Sequence, residues 1–247
     1  KYYLSYIYPS IMKAGYGGDQ QMTNEAQLKI IETALLSRTQ AGQKQIGWKL
    51  GFGSPAALKA LNTSKPLIGG LFDAGELESG TTTDVSEMTK PCLEAEIAAH
   101  IASDIPENAT KEQIMDCVDS LVPAIELVDF HTPPSDAETI LSDNIFQRGW
   151  VMLPSTNSGW SGGASGLEIH IRQGDETWDP ATDIESKIGH ITDGLIECNR
   201  VASALGRGIL KGDIVLLGSV IPPHPSNGSA FSVTIPGIGD VSLNFQP

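Results

Sequence analysis

Short β-rich runs recur along this chain, interrupted by few helices and in no regular βα alternation, and that pattern limits its folds more than any other feature. The runs lie at 45–50, 93–101, 122–130, 150–153, 167–172, 214–217 and 231–235. Gly174-Asp175 and Gly237-Ile238-Gly239-Asp240 read as turns between strands. Helical spacing is confined to four stretches. Leu28, Ile31, Ala34 and Leu35 mark a helix over 24–41, with Thr23 or Asn24 as its cap and Gly42 as its stop. A short helix is expected over 55–61. Thr110 and Gln113 form a capping-box pattern that opens a helix through Leu121. Ile188, Ile191, Leu195, Ala202 and Leu205 mark a longer helix ending at Gly206. Such a succession disfavours a doubly wound fold and predicts an α+β protein, a mixed β-sandwich or barrel with a few flanking helices. At 247 residues one large domain with a small N-terminal appendage is expected. We divide the chain into a helical or irregular segment at 1–45 and a main domain at 46–247.

Charge narrows the partners. Thirty acidic residues against sixteen basic ones give a formal net charge of −14, a field that repels phosphate backbones. No Lys/Arg cluster overcomes it, so neither nucleic acid nor an anionic membrane is an expected partner. Bound metal cations could balance part of the charge. Cys92, Cys117 and Cys198 are odd in number and lack C-x-x-C spacing, which predicts reduced thiols and a cytoplasmic location. No apolar run approaches the length of a membrane-spanning helix. The opening KYYLSYIYPSIMKAG is broken by Ser5 and Pro9 and makes a poor signal-peptide core. Its tyrosines have little obvious partner within one domain, so a homo-oligomer is expected with this segment partly buried between subunits.

The segment KPCLEAEIAAHI, from Lys90 to Ile101, carries two glutamates in an otherwise apolar run. On a strand, Glu94 and Glu96 share one face while Leu93, Ala95 and Ile97 share the other. Taken alone, the pair reads as the solvated face of an edge strand, because glutamates are mostly exposed. Glu126 alters that balance: it is the one interruption in the apolar run Val122-Pro123-Ala124-Ile125-Glu126-Leu127-Val128. Buried carboxylates need a cation or a shifted pKa. Three of them converging from two strands would make a hard oxygen site for Mg²⁺ or Mn²⁺. In Gly47-Trp48-Lys49-Leu50-Gly51-Phe52-Gly53, Lys49 is enclosed by apolar residues, and the glycines let a ligand approach the backbone. A surface lysine near a turn is the plain alternative. A lysine beside a metal could instead exchange protons with a substrate.

In this order the motifs GWKLG, KPLIGGLFDAG, KPCLEAEIAAHI, LVPAIELVDF, LSDN and LKGDIVLLGS resemble the fumarylacetoacetate hydrolase superfamily. Within it they are similar to the 2-keto-4-pentenoate hydratase / 4-oxalocrotonate decarboxylase branch. They run from Gly47 to Ser219, with a weaker match through IPGIGDVSLNF. The resemblance implies the mixed β-roll core of that superfamily's C-terminal domain. It implies Glu94, Glu96 and Glu126 as ligands to a divalent metal, Lys49 as the catalytic lysine, and Phe52, Asp73 and Ser219 as residues facing the substrate. The branch's acid after the proline of x-P-D-[FY]-G is replaced by Leu67, its D-D-M by Asp73-Ala74-Gly75, and its G-H-P by Gly189-His190-Ile191. These departures touch the groups that would steer water or choose between reactions.

The implied function is a metal-dependent lyase, hydratase or decarboxylase, acting on a short 2-oxo or 2-hydroxydienoic acid through a metal-stabilised enolate. One rival is an acylpyruvate-type C–C bond hydrolase on the same fold, which would need a base for water. His100, on the strand face of Glu96, and His131 are the candidates, each more readily structural. A second rival is a member that binds a 2-oxo acid without turning it over.

Overall fold

The computed structural model describes residues 24–155 and 164–246; the Tyr-rich opening segment and its expected interface lie outside them. Helix α1 (Asn24–Gln40) buries Ile31 and Leu35, one turn apart on a single face. It packs on the strand Leu67–Phe72 and on the short helix Ala137–Ser142. Strand β1 (Gln45–Gly51) follows. Next comes α2 (Pro55–Ala60), which starts at Ser54, whose Oγ accepts from the Ala57 N–H at 3.2 Å. Pro55 at the first position needs no donor there.

Strand β2 (Leu67–Phe72) is wholly buried, and the sequence reading did not include it. Its LIGGLF core hides behind two glycines that argue against a strand. Both are explained by crowding. A Cβ on Gly69 would lie 2.8 Å from Asn144 Oδ1 and 3.2 Å from Lys49 Cγ, and one on Gly70 would lie 2.4 Å from Leu35 Cδ2.

Strands β3 (Thr82–Asp84) and β4 (Pro91–Ile101) lead to helix α3 (Lys111–Cys117), which opens with the expected capping box. The helix stops four residues before Leu121, because Val118 already belongs to β5 (Val118–Asp129), a twelve-residue strand paired along β4. Local helical signal yields there to strand pairing that buries nearly every residue of β5. Helix α4 (Ala137–Ser142) and β6 (Gln147–Met152) follow, then β7 (His170–Gln173) and β8 (Glu176–Thr177). The expected long helix is two helices, α5 (Ile184–Ile188) and α6 (Ile191–Ala204). Gly189 separates them in the left-handed region at φ 90°. The chain closes with β9 (Ile214–Ser219), β10 (His224–Pro225), β11 (Phe231–Ile235) and β12 (Gly239–Gln246).

Two sheets result, in an α+β architecture. One has the order β2-β1-β9-β4-β5-β6, with β10 paired to β4, and the other β3-β12-β11-β7-β8. In the first, β1 and β9 run parallel while the other pairings are antiparallel. Leu93, Ala95, Ile97, Ile125 and Leu127 share one core with Phe231, Val233, Val241 and Leu243 of the second sheet. The opposite face carries a smaller apolar cluster that includes Ala98, Ala124, Trp150 and Leu216. Strand parity continues that face through Glu94, Glu96 and Glu126. Cys92, Cys117 and Cys198 are buried free thiols, and no described helix is long and apolar enough to cross a membrane.

Candidate metal centre and active site

Register brings the acids together. Glu94 lies directly opposite Glu126 in the β4–β5 ladder, and Glu96 opposite Ala124. One oxygen from each of Glu94, Glu96 and Glu126 lies within 4.8 Å of the others. Lys49 reaches the cluster from β1, with its ammonium donating to Glu126 Oε1. Both members of that pair are 1% exposed. Gln147 Nε2 donates to the same oxygen at 3.0 Å, and the Gly218 N–H donates to Glu96 Oε2 at 2.9 Å.

Lys49, Glu94, Glu96, Glu126 and Gly218 line a cavity of about 310 Å³, in the range of small-ligand sites. Phe52 and Ser219 also line it. Ser219 Oγ donates to the Ile221 carbonyl at 2.5 Å. Asp73 does not reach the cavity. It sits exposed in a 3₁₀ turn after β2, where its carboxylate accepts the Lys44 N–H at 2.9 Å. The resemblance implied that Asp73 faces the substrate, but the chain leaves the strand at Asp73, and the carboxylate accepts within the turn. The two candidate bases are also elsewhere. His100 Nε2 bonds the Leu153 carbonyl at 3.1 Å, and His131 contacts Arg148 at 3.1 Å; neither lines the cavity.

A backbone feature not anticipated from the sequence orders this lining. Asn144, Ile145 and Phe146 all adopt positive φ, at 51°, 57° and 61°. For non-glycine residues, and for a β-branched isoleucine above all, that conformation is costly, about 1–3 kcal/mol each. Asn144 holds the turn in place: its Nδ2 donates to the Gly70 carbonyl at 2.9 Å and its Oδ1 accepts the Gly70 N–H at 2.8 Å. The turn aims the Ile145 carbonyl at Lys49 Nζ, 3.5 Å away, and starts β6 with Gln147 against Glu126. The LSDN motif marked the place but not the role. Gln147 carried no signal at all, being a single polar residue at a strand start.

Electrostatics say what the cluster lacks. Burial, then repulsion from Glu126, pushes the Glu94 carboxyl up to about 8. Burial, then the neighbouring Glu126 and Glu94 charges, holds Glu96 well above the usual carboxylate range. Three carboxylates facing one ammonium leave two negative charges uncompensated when all are ionised. Hard oxygen donors with that charge deficit fit a divalent cation of the Mg²⁺ or Mn²⁺ kind, whose charge would reverse the upward shifts.

No family model matches the chain. It is 26% identical over 221 residues to the 2-keto-4-pentenoate hydratase of Paraburkholderia xenovorans (strain LB400), covering 85% of this chain and 79% of that protein. Its fold superposes on 4-oxalocrotonate decarboxylase from Pseudomonas putida G7, complexed with magnesium and adipate. That match has a TM-score of 0.79 at 20% identity, over 92% of this chain and 87% of the other. Fumarylpyruvate hydrolase from Pseudomonas aeruginosa, in complex with Mn²⁺ and pyruvate, superposes with a TM-score of 0.62 at 13% identity, over 93% of each chain. In sequence the chain is similar to 2-keto-4-pentenoate hydratases, and it shares the fold of 4-oxalocrotonate decarboxylase and fumarylpyruvate hydrolase.

Proposed function

We propose that the protein is a divalent-metal-dependent lyase that adds water to, or removes carbon dioxide from, a short 2-oxo or 2-hydroxydienoic acid. The observation that carries this reading is the cluster of half-buried Glu94 and buried Glu96 and Glu126 that lines a ligand-sized cavity together with Lys49. Relatives named hydratase and decarboxylase, one of them complexed with magnesium, support it.

Glu94, Glu96 and Glu126 would hold the cation, and Gly218 and Gln147 orient two of them. A bound divalent cation supplies positive charge beside the carboxylate and the 2-oxygen of the acid, where negative charge gathers as an enolate forms. Lys49 carries a proton between that oxygen and a carbon further along the substrate. Its ammonium already rests on Glu126, so proton transfer starts from a held position rather than a free side chain. Phe52 and the prolines 222 and 223 wall the cavity with apolar surface, which limits water around the reacting atoms. Among the described residues no histidine lines the cavity, which leaves the C–C hydrolase alternative without its base.

The test is product analysis after incubation with Mg²⁺ and a panel of 2-oxo-3-enoic, 2-hydroxydienoic and acylpyruvic acids. Hydrated or decarboxylated product supports the reading. Cleavage of acylpyruvates alone would favour the hydrolase, and oxalate binding without turnover would favour a binding protein. The reading also takes the protein as a cytoplasmic homo-oligomer, for which light scattering should return a multiple of the chain mass.

A further inference from the structure

Lys187 is a second cation on the cavity wall, and the lyase chemistry above gives it nothing to do. It lies in the last turn of α5. That helix is held by buried Ile184 and Ile188 and packs on α2 and β9. The packing is close: a Cβ on Gly53 would lie 2.8 Å from the Ile188 carbonyl oxygen. The backbone that presents Lys187 is therefore fixed against the cavity.

Its charge has no ion-pair partner among the described residues. In a chain where acids outnumber bases thirty to sixteen, a half-buried lysine without an acid beside it is unusual. Lys49, the other lysine on the lining, is already paired with Glu126. The same lining includes the apolar Ala56, Ile188, Ile221, Pro222 and Pro223. Apolar neighbours screen a charge poorly and strengthen any ion pair made there.

We infer that Lys187 receives a second, distal carboxylate, so that the preferred substrates are dicarboxylic 2-oxo or 2-hydroxydienoic acids. The inference rests on the proposed reading of Glu94, Glu96 and Glu126 as the anchor for the other end of the acid. Lys187 is then a specificity residue, touching the substrate's distal carboxylate.

Calorimetric titration with Mg²⁺ present compares matched probes: 2-oxoglutarate with 2-oxopentanoate, and 2-oxoadipate with 2-oxohexanoate. For at least one pair, wild type should bind the dicarboxylate about 10-fold more tightly. Lys187→Met should abolish that preference while leaving monocarboxylate affinity unchanged, and Lys187→Arg should keep it. Equal binding of both members of each pair by wild type, or a preference that survives Lys187→Met, would overturn the assignment and leave the metal-site reading standing. Failure of all four acids to bind in the presence of Mg²⁺ would overturn both.

Discussion

Replacing Lys49 by methionine separates its electrostatic role from its chemical one. The side chain is 1% exposed, and its ammonium is the charge partner of Glu126 within the three-carboxylate cluster. Methionine keeps most of the buried stem and removes the charge. Breaking a buried pair by deleting one partner costs about 3–5 kcal/mol, because the other charge stays buried and uncompensated. For a domain of this size each kcal/mol moves the midpoint by about 2–4 °C, so metal-free Lys49→Met should melt about 6–20 °C below wild type at pH 8. The gap should narrow at pH 6, where raised carboxyls such as Glu94 take up protons and need no partner. Saturating Mg²⁺ should narrow it as well, since the cation supplies the missing charge. Turnover should nevertheless fall by about 10²–10⁴-fold with Mg²⁺ present, the loss typical of a general acid–base group. Calorimetric melting in EDTA and in Mg²⁺, beside a rate assay on whichever acid is turned over, reads both effects. A metal-free mutant that melts within about 2 °C of wild type at pH 8 and turns over normally would refute this reasoning.

Gly69→Ala should be disruptive although it adds a single methyl group. Its Cβ would stand 2.8 Å from Asn144 Oδ1 and 3.2 Å from Lys49 Cγ, and Asn144 is held by two bonds to Gly70. A loss of about 1–3 kcal/mol with reduced turnover is expected; unchanged melting and rate would detach this packing from the site. The pH dependence of the metal-free protein follows from Glu94, whose pKa rises on folding from 4.5 to about 8. Below the lower value folded and unfolded forms are both protonated, and between the two values only the folded form keeps the proton. Stability should therefore fall as pH rises through that window, less steeply in Glu94→Gln. Melting temperatures in EDTA that stay level or climb from pH 5.5 to 8, in wild type and variant alike, would contradict this.

Much of the site was legible because strand periodicity is strict. Glu94 and Glu96 had to share a face, and the apolar run around Glu126 required an unusual environment for its carboxylate. Lys49 stood out through its apolar, glycine-punctuated surroundings. What escaped depended on contacts between distant segments. Strand β2 was masked by glycines whose meaning lies in Asn144 and Leu35 across the fold. The left-handed turn at Asn144–Phe146 contradicts the local preference of Ile145 and persists through the two bonds from Asn144 to Gly70. Gln147 and Lys187 are ordinary polar residues in the sequence and acquire roles only where tertiary packing puts them. Asp73, implied by the resemblance alone, lies in the turn after β2 and outside the cavity lining.

The central claim is that Glu94, Glu96 and Glu126 together bind one divalent cation. Titration of Mn²⁺ into the metal-free protein, with free Mn²⁺ read by electron paramagnetic resonance, tests it most directly. One site per chain is expected at pH 8, and each of Glu94→Gln, Glu96→Gln and Glu126→Gln should weaken it by at least about tenfold, the cost of losing about 1.4 kcal/mol of binding. Absence of binding by wild type, or a site that all three variants retain at full affinity, would contradict it.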